Sequence, residues 1–155
     1  MNDESQLREK LAEFLDSRSA HISFDDAVRD FPLDKINDRP AGSPHSAWEL
    51  LEHIRIAQWD ILEFSRNSSH VSPDWPAGYW PEEAGTAESW EGSVQQVRSD
   101  REEMQKLTTD ASVNLFDRLP HGDGQTILRE ALLIIDHNAY HLGQLMLLRR
   151  MLESS

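Results

Sequence analysis

The sequence predicts an all-α protein, a four-helix bundle with long inter-helix loops. Three observations predict it. Four long stretches carry apolar residues at helical spacing, no stretch alternates strongly enough to compete as a strand, and the breaks between the stretches are rich in proline and glycine. At 155 residues the chain is read as a single domain spanning 1–155, long enough to bury a core of its own.

The first helical segment runs from about Glu4 to Ser17, with Leu7, Leu11, Phe14 and Leu15 spaced to line one face. After a break at Ser19–His21, a short piece starts at Ser23 and stops before Pro32, with Phe24, Ala27, Val28 and Phe31 as its apolar side. Leu33 to Pro44 holds two prolines and a glycine and reads as a connecting loop.

The second long helix opens at Ser46, which with Glu49 makes a capping box, and runs to about Arg66. Leu50, Ala57, Ile61 and Phe64 share a face. His53 falls at the rim of that stripe beside Asp60, where it points into a bundle yet stays within reach of solvent. Asn67 to Gly85 is a loop with three prolines and the aromatics Trp75, Tyr79 and Trp80, read as a lid on the bundle end or the apolar wall of a pocket.

The third long helix, about Thr86 to Thr108, is the most polar, with Trp90, Val94, Val97, Met104 and Leu107 as core positions. A loop containing Pro120 and the Gly122-Asp123-Gly124 turn follows, with Asp123 and Thr126 read as caps of the last helix. That helix, about Thr126 to Glu153, is apolar nearly all round and must be buried on more than one face. An apolar surface of this kind marks an interface. It predicts a homodimer through this helix or the aromatic residues beside it, with Trp48 and Trp59 as further contributors.

Composition narrows the function. A net charge of −13, with no basic stripe, argues against nucleic-acid binding. The absence of cysteine excludes disulfides, thiolate zinc sites and a cysteine nucleophile, while leaving a thiol co-substrate open. The acidic N-terminus lacks the pattern of a signal peptide, and no apolar run approaches the ~20 residues that span a bilayer. A cytoplasmic location without membrane attachment is the expectation.

The histidines carry the chemistry. His137 and His141 lie four residues apart in the last helix, so their side chains stack on one face. Two imidazoles so placed hold a metal ion from one side, and His53 from a neighbouring helix completes a three-histidine cap with coordination positions left open, as in a catalytic site. The residue after His137 is Asn138 and not Glu, so the zinc-protease motif is excluded. Glu130, two turns before His137, and Asp60, two turns after His53, read either as carboxylates that orient imidazoles or assist the chemistry, or as solvated surface charges. His45, beside the cap, is a further candidate for the same cavity. His21, His70 and His121 fall in loops or breaks and receive no role.

Three segments together resemble the DinB/YfiT-like superfamily. They are His45-Ser46-Ala47-Trp48-Glu49-Leu50-Leu51-Glu52-His53-Ile54, Gly124-Gln125-Thr126-Ile127-Leu128-Arg129-Glu130, and Asp136-His137-Asn138-Ala139-Tyr140-His141-Leu142-Gly143-Gln144. The resemblance extends over nearly the whole chain. It implies a bundle of four main helices, commonly dimeric, with a divalent metal held by three histidines at positions 53, 137 and 141. Members with known chemistry include thiol-dependent S-transferases, a mycothiol-dependent isomerase and a metal hydrolase, and many have no established activity. The expected function is a metal-dependent enzyme acting on a small molecule, as a thiol S-transferase or a hydrolase, with a low-molecular-weight thiol as a possible partner. The competing reading is a non-catalytic dimeric bundle that binds metal. Zinc or nickel is the expected ion, with manganese or iron as alternatives, because imidazole accommodates several metals and nothing in these residues selects one.

Overall fold

A computed structural model describes residues 2–155, and among these it contains five helices and no strand. They are α1 (Asp3–Leu15), α2 (Phe24–Val28), α3 (Ala47–Arg66), α4 (Ala87–Thr109) and α5 (Ile127–Glu153), with 3₁₀ turns at Leu33–Lys35 and Ala77–Tyr79. The long helices start where the sequence places capping residues. Ser46 and Glu49 form the reciprocal box of α3, and Thr126 accepts from the backbone of Arg129 at the start of α5. The start of α4 is a second reciprocal box, Thr86 with Ser89, in which a serine does the work usually given to Glu or Gln. Asp123 caps nothing; it is exposed, and Thr126 alone closes the α5 N-terminus.

Around the bundle the order is α1, α4, α3, α5: α3 packs between α4 and α5, and α1 closes the opposite side against the same two helices. The central position of α3 explains its burial on nearly every face, including the polar residues Glu52, His53, Gln58 and Asp60. One apolar cluster joins α2, the first half of α3 and the second half of α5, through residues such as Leu51, Ile54, Leu142 and Leu145. The other joins α1, the end of α3, the second half of α4 and the start of α5, through Leu11, Leu62, Met104 and Ile134. Phe14, expected in the core, is 44% exposed, because α1 is covered on one side only.

Buried polar groups tie the helices at defined heights. Gln58 of α3 donates to the Val97 carbonyl of α4 (2.8 Å) and accepts from Asn138 of α5 (2.8 Å), so three helices are pinned one residue away from His137. Arg8 of α1 donates to the carbonyls of Thr108, Asp110 and Val113, which supplies the end of α4 with the donors its last turn lacks. Trp48, expected on an outer surface, is buried. Its indole nitrogen donates to the Glu83 carbonyl, and the backbone of Gly85 lies against its ring so closely that a Cβ there would overlap it. The loop before α4 therefore folds down over α3 and removes Trp48 from the list of interface residues.

Candidate metal centre

His53 comes from the second turn of α3, and His137 and His141 from consecutive turns of α5. Because these helices are neighbours, the three rings meet: one ring nitrogen of each lies within 4.8 Å of those of the others. The Nε2 atoms of His53 and His137 are 3.1 Å apart. Two nitrogens bound to one ion at about 2.1 Å are separated by about 3.0 to 3.4 Å, so this pair already has the spacing of two ligands.

His53 is not at the rim of the core but is 2% exposed, since the 67–85 loop lies over it. Its Nδ1–H donates to the Tyr79 carbonyl (2.9 Å), which leaves Nε2 as the bare nitrogen turned toward His137. Trp80 stacks flat on the same ring at 4.0 Å and 3°, and His45 stacks on the opposite face of Trp80 at 4.0 Å and 14°. His141 donates through Nδ1 to Gln144 Oε1 (2.7 Å), which likewise frees its other nitrogen. Outer hydrogen bonds of this kind fix the tautomer and orientation of metal-ligating histidines. His137 has none: its Nδ1 is buried without a partner among the described residues.

Burial keeps all three imidazoles neutral. It is the main reason that His53 and His141 titrate below the ordinary histidine value, and in His137 burial, reinforced by the other two rings, lowers the pKa to about 4. Neutral imidazole is the form that ligates a metal. His137 and His141 are only partly buried, so the cluster is sealed on the His53 side and approachable from the α5 side.

Neither carboxylate named from the sequence hydrogen-bonds a histidine of the trio. Asp60 is buried and hydrogen-bonds no imidazole of the trio. Its Oδ2 accepts from the Tyr79 hydroxyl (2.6 Å) and its Oδ1 pairs with His70 Nε2 (2.7 Å). Burial, followed by the hydrogen bond to Asp60, pushes the Tyr79 phenol up to about 12. Asp60 thus holds the residue whose carbonyl holds His53. Glu130 is buried and accepts from Arg129 (2.7 Å), with no hydrogen bond to a histidine; seven residues of rise keep it away from His137. His70, without a role in the sequence reading, is part of the Asp60 network. Gln144 and Trp80 stood within the quoted motif and the aromatic loop, but the Tyr79 contribution is a backbone carbonyl, to which no residue type points.

An all-α bundle whose two central helices converge three neutral imidazoles defines the class, a helical protein with a group able to hold a metal ion. A family model of the DinB superfamily matches residues 19–145, and the chain belongs to that superfamily. No curated protein and no solved structure matches it significantly. No helix among the described residues is long and apolar enough to cross a membrane.

Proposed function

We propose that the protein is a metal-dependent enzyme acting on a small molecule, as a thiol S-transferase or a hydrolase, with His53, His137 and His141 as the ligands of one divalent ion per chain. The observation that carries this reading is the convergence of three neutral imidazoles, two of them oriented by outer hydrogen bonds, with the α5 side left approachable. The donor set fits the ion: three nitrogen ligands with an open remainder are the pattern of catalytic rather than structural sites. The chemistry an ion supplies in such a site is Lewis-acid activation of water or a thiol at neutral pH. The chain's own part is to hold the imidazoles neutral and in register, and to exclude water from the His53 side with Trp80 and the Tyr79 turn. Zinc or nickel is the ion proposed, with manganese or iron as alternatives, since imidazole accommodates several metals.

The exposed stripe of α5 supports the proposal of a homodimer. Leu132, Tyr140 and Leu147 share one side of that helix and stand 50, 66 and 60% exposed, with the exposed Asp136 among them.

The test is elemental analysis of protein purified without a metal-affinity tag, for the wild type and for the triple variant His53→Ala, His137→Ala, His141→Ala. The wild type is expected to carry close to one ion per chain and to transfer a thiol to an electrophile, or hydrolyse an ester or amide, only with metal restored. The triple variant is expected to keep its helicity and carry none. Full occupancy in the triple variant would remove the ligand assignment. Metal binding without turnover of any such substrate would leave the non-catalytic bundle as the answer.

A further inference from the structure

Beside the histidine cluster, between the Ala41–His45 loop and the second half of α5, lies a cavity of about 340 Å³. Leu50 and Leu148 form part of its floor, Leu147 and Met151 its outer wall, and no Asp, Glu, Lys or Arg lines it. This is unusual for a chain of net charge −13. Two of its polar residues lead back to the cluster. Gln144 accepts from His141 Nδ1, and His45 is separated from His53 by the single thickness of the Trp80 ring.

Gln144 is divided between the two sites. Its Oε1 is engaged by His141, while its amide nitrogen donates to no group of the chain among the described residues. An amide can offer two donors, so a ligand in the cavity meets a free N–H next to the proposed metal ligands. Apart from Ser43, whose hydroxyl donates to the His45 carbonyl (2.6 Å), the walls formed by Leu50, Leu148 and Met151 offer apolar surface. A charged substituent placed among them would lose its hydration without a countercharge, whereas a neutral apolar group gains from burial.

We propose that this cavity is the specificity pocket of the site: it takes the uncharged apolar body of the substrate, alkyl or aryl, and Gln144 donates through its amide nitrogen to a carbonyl-type acceptor at the end of that body nearest His141. The proposal rests on the reading of the three histidines as the reactive centre, and it deepens that reading by naming a substrate class, neutral apolar carbonyl compounds over their charged analogues. Gln144 is thereby a residue with two separable duties, orienting His141 and reading the substrate.

The separation provides the experiment. Benzamide and benzoate, equal in size and different in charge, are titrated into the protein by calorimetry or ligand-observed NMR, as purified and after chelation. After chelation, when no ion is present to take the carboxylate, benzamide is expected to bind at least tenfold more tightly than benzoate. Ala41→Trp, at an exposed loop position where folding is not at stake, fills the mouth and is expected to abolish benzamide binding. Gln144→Glu keeps an acceptor for His141 Nδ1 but removes the free amide donor. It is expected to lower benzamide affinity about tenfold after chelation, where a bound ion plays no part. Equal binding of the two probes, or benzamide binding indifferent to both substitutions, would overturn the pocket whatever the metal content. Protein that takes up no metal but binds benzamide with this pattern would sink the metal reading and leave the pocket standing.

Discussion

Replacing Tyr79 with Phe isolates the support that the 67–85 loop gives to His53. The substitution removes one oxygen, which donates at 2.6 Å to Asp60 Oδ2, and leaves the aromatic ring and the backbone carbonyl in place. A hydrogen bond to a charged acceptor contributes about 1.5–3 kcal/mol. Asp60 keeps its bond to His70 (2.7 Å), so the carboxylate is not orphaned and the lower half of that range is expected. The Tyr79 carbonyl, which accepts from His53 Nδ1, is then tethered only by the 3₁₀ turn and by Trp80 stacked on the ring. Removing an outer partner of a metal-bound histidine typically costs 10- to 100-fold in affinity. Here the partner remains and only its anchor is lost, so a drop of about three- to tenfold is expected. Urea denaturation of the metal-free variant reads the first effect and competition with a chromogenic chelator reads the second. A variant that loses the full stability increment yet binds metal like wild type would show that the phenol ties down the loop without orienting His53.

The depressed histidines set a pH dependence of the metal-free fold. His137 titrates at about 4 in the folded chain and near 6.5 when unfolded, so between those values the unfolded state binds more protons and stability falls as the pH drops. His53 and His141 act with the same sign. The urea midpoint is expected to decline from pH 7 to 4.5 more steeply in wild type than in His137→Gln, and equal slopes would contradict it. Gly85→Ala drives a methyl group into the Trp48 indole, and overpacking of this kind costs about 1–3 kcal/mol; an unchanged denaturation midpoint would mean the loop yields freely. For the proposed homodimer, light scattering is expected to give twice the chain mass at micromolar concentration, reduced to a monomer by Leu147→Asp combined with Tyr140→Asp. A monomeric wild type would leave the α5 stripe without that explanation.

Helix positions were legible in the chain because they depend on local chemistry. The Ser46 box and the Thr126 cap are decided within four residues, and the apolar spacing of Leu51, Ile54, Leu142 and Leu145 reports burial through a period that one helix sets for itself. The pairing of His137 with His141 was legible for the same reason, since i and i+4 are neighbours on any helix. Membership of His53 in the trio was suggested by spacing and by the resemblance, but its contact with His137 at 3.1 Å exists only because α3 and α5 pack side by side. The surroundings of the trio were decided by tertiary structure alone. Helical spacing places a residue on a face but says nothing of what covers that face. So His53 is sealed where a rim position was expected, Trp48 is roofed by the Gly85 backbone, Asp60 turns to Tyr79 and His70, and Glu130 turns to Arg129. A loop of twenty residues between α3 and α4 has no periodicity to announce its course. It is this loop, folded back on α3, that presents the Tyr79 carbonyl and the Trp80 ring to His53, contacts between groups far apart in the chain and set by packing rather than by residue spacing.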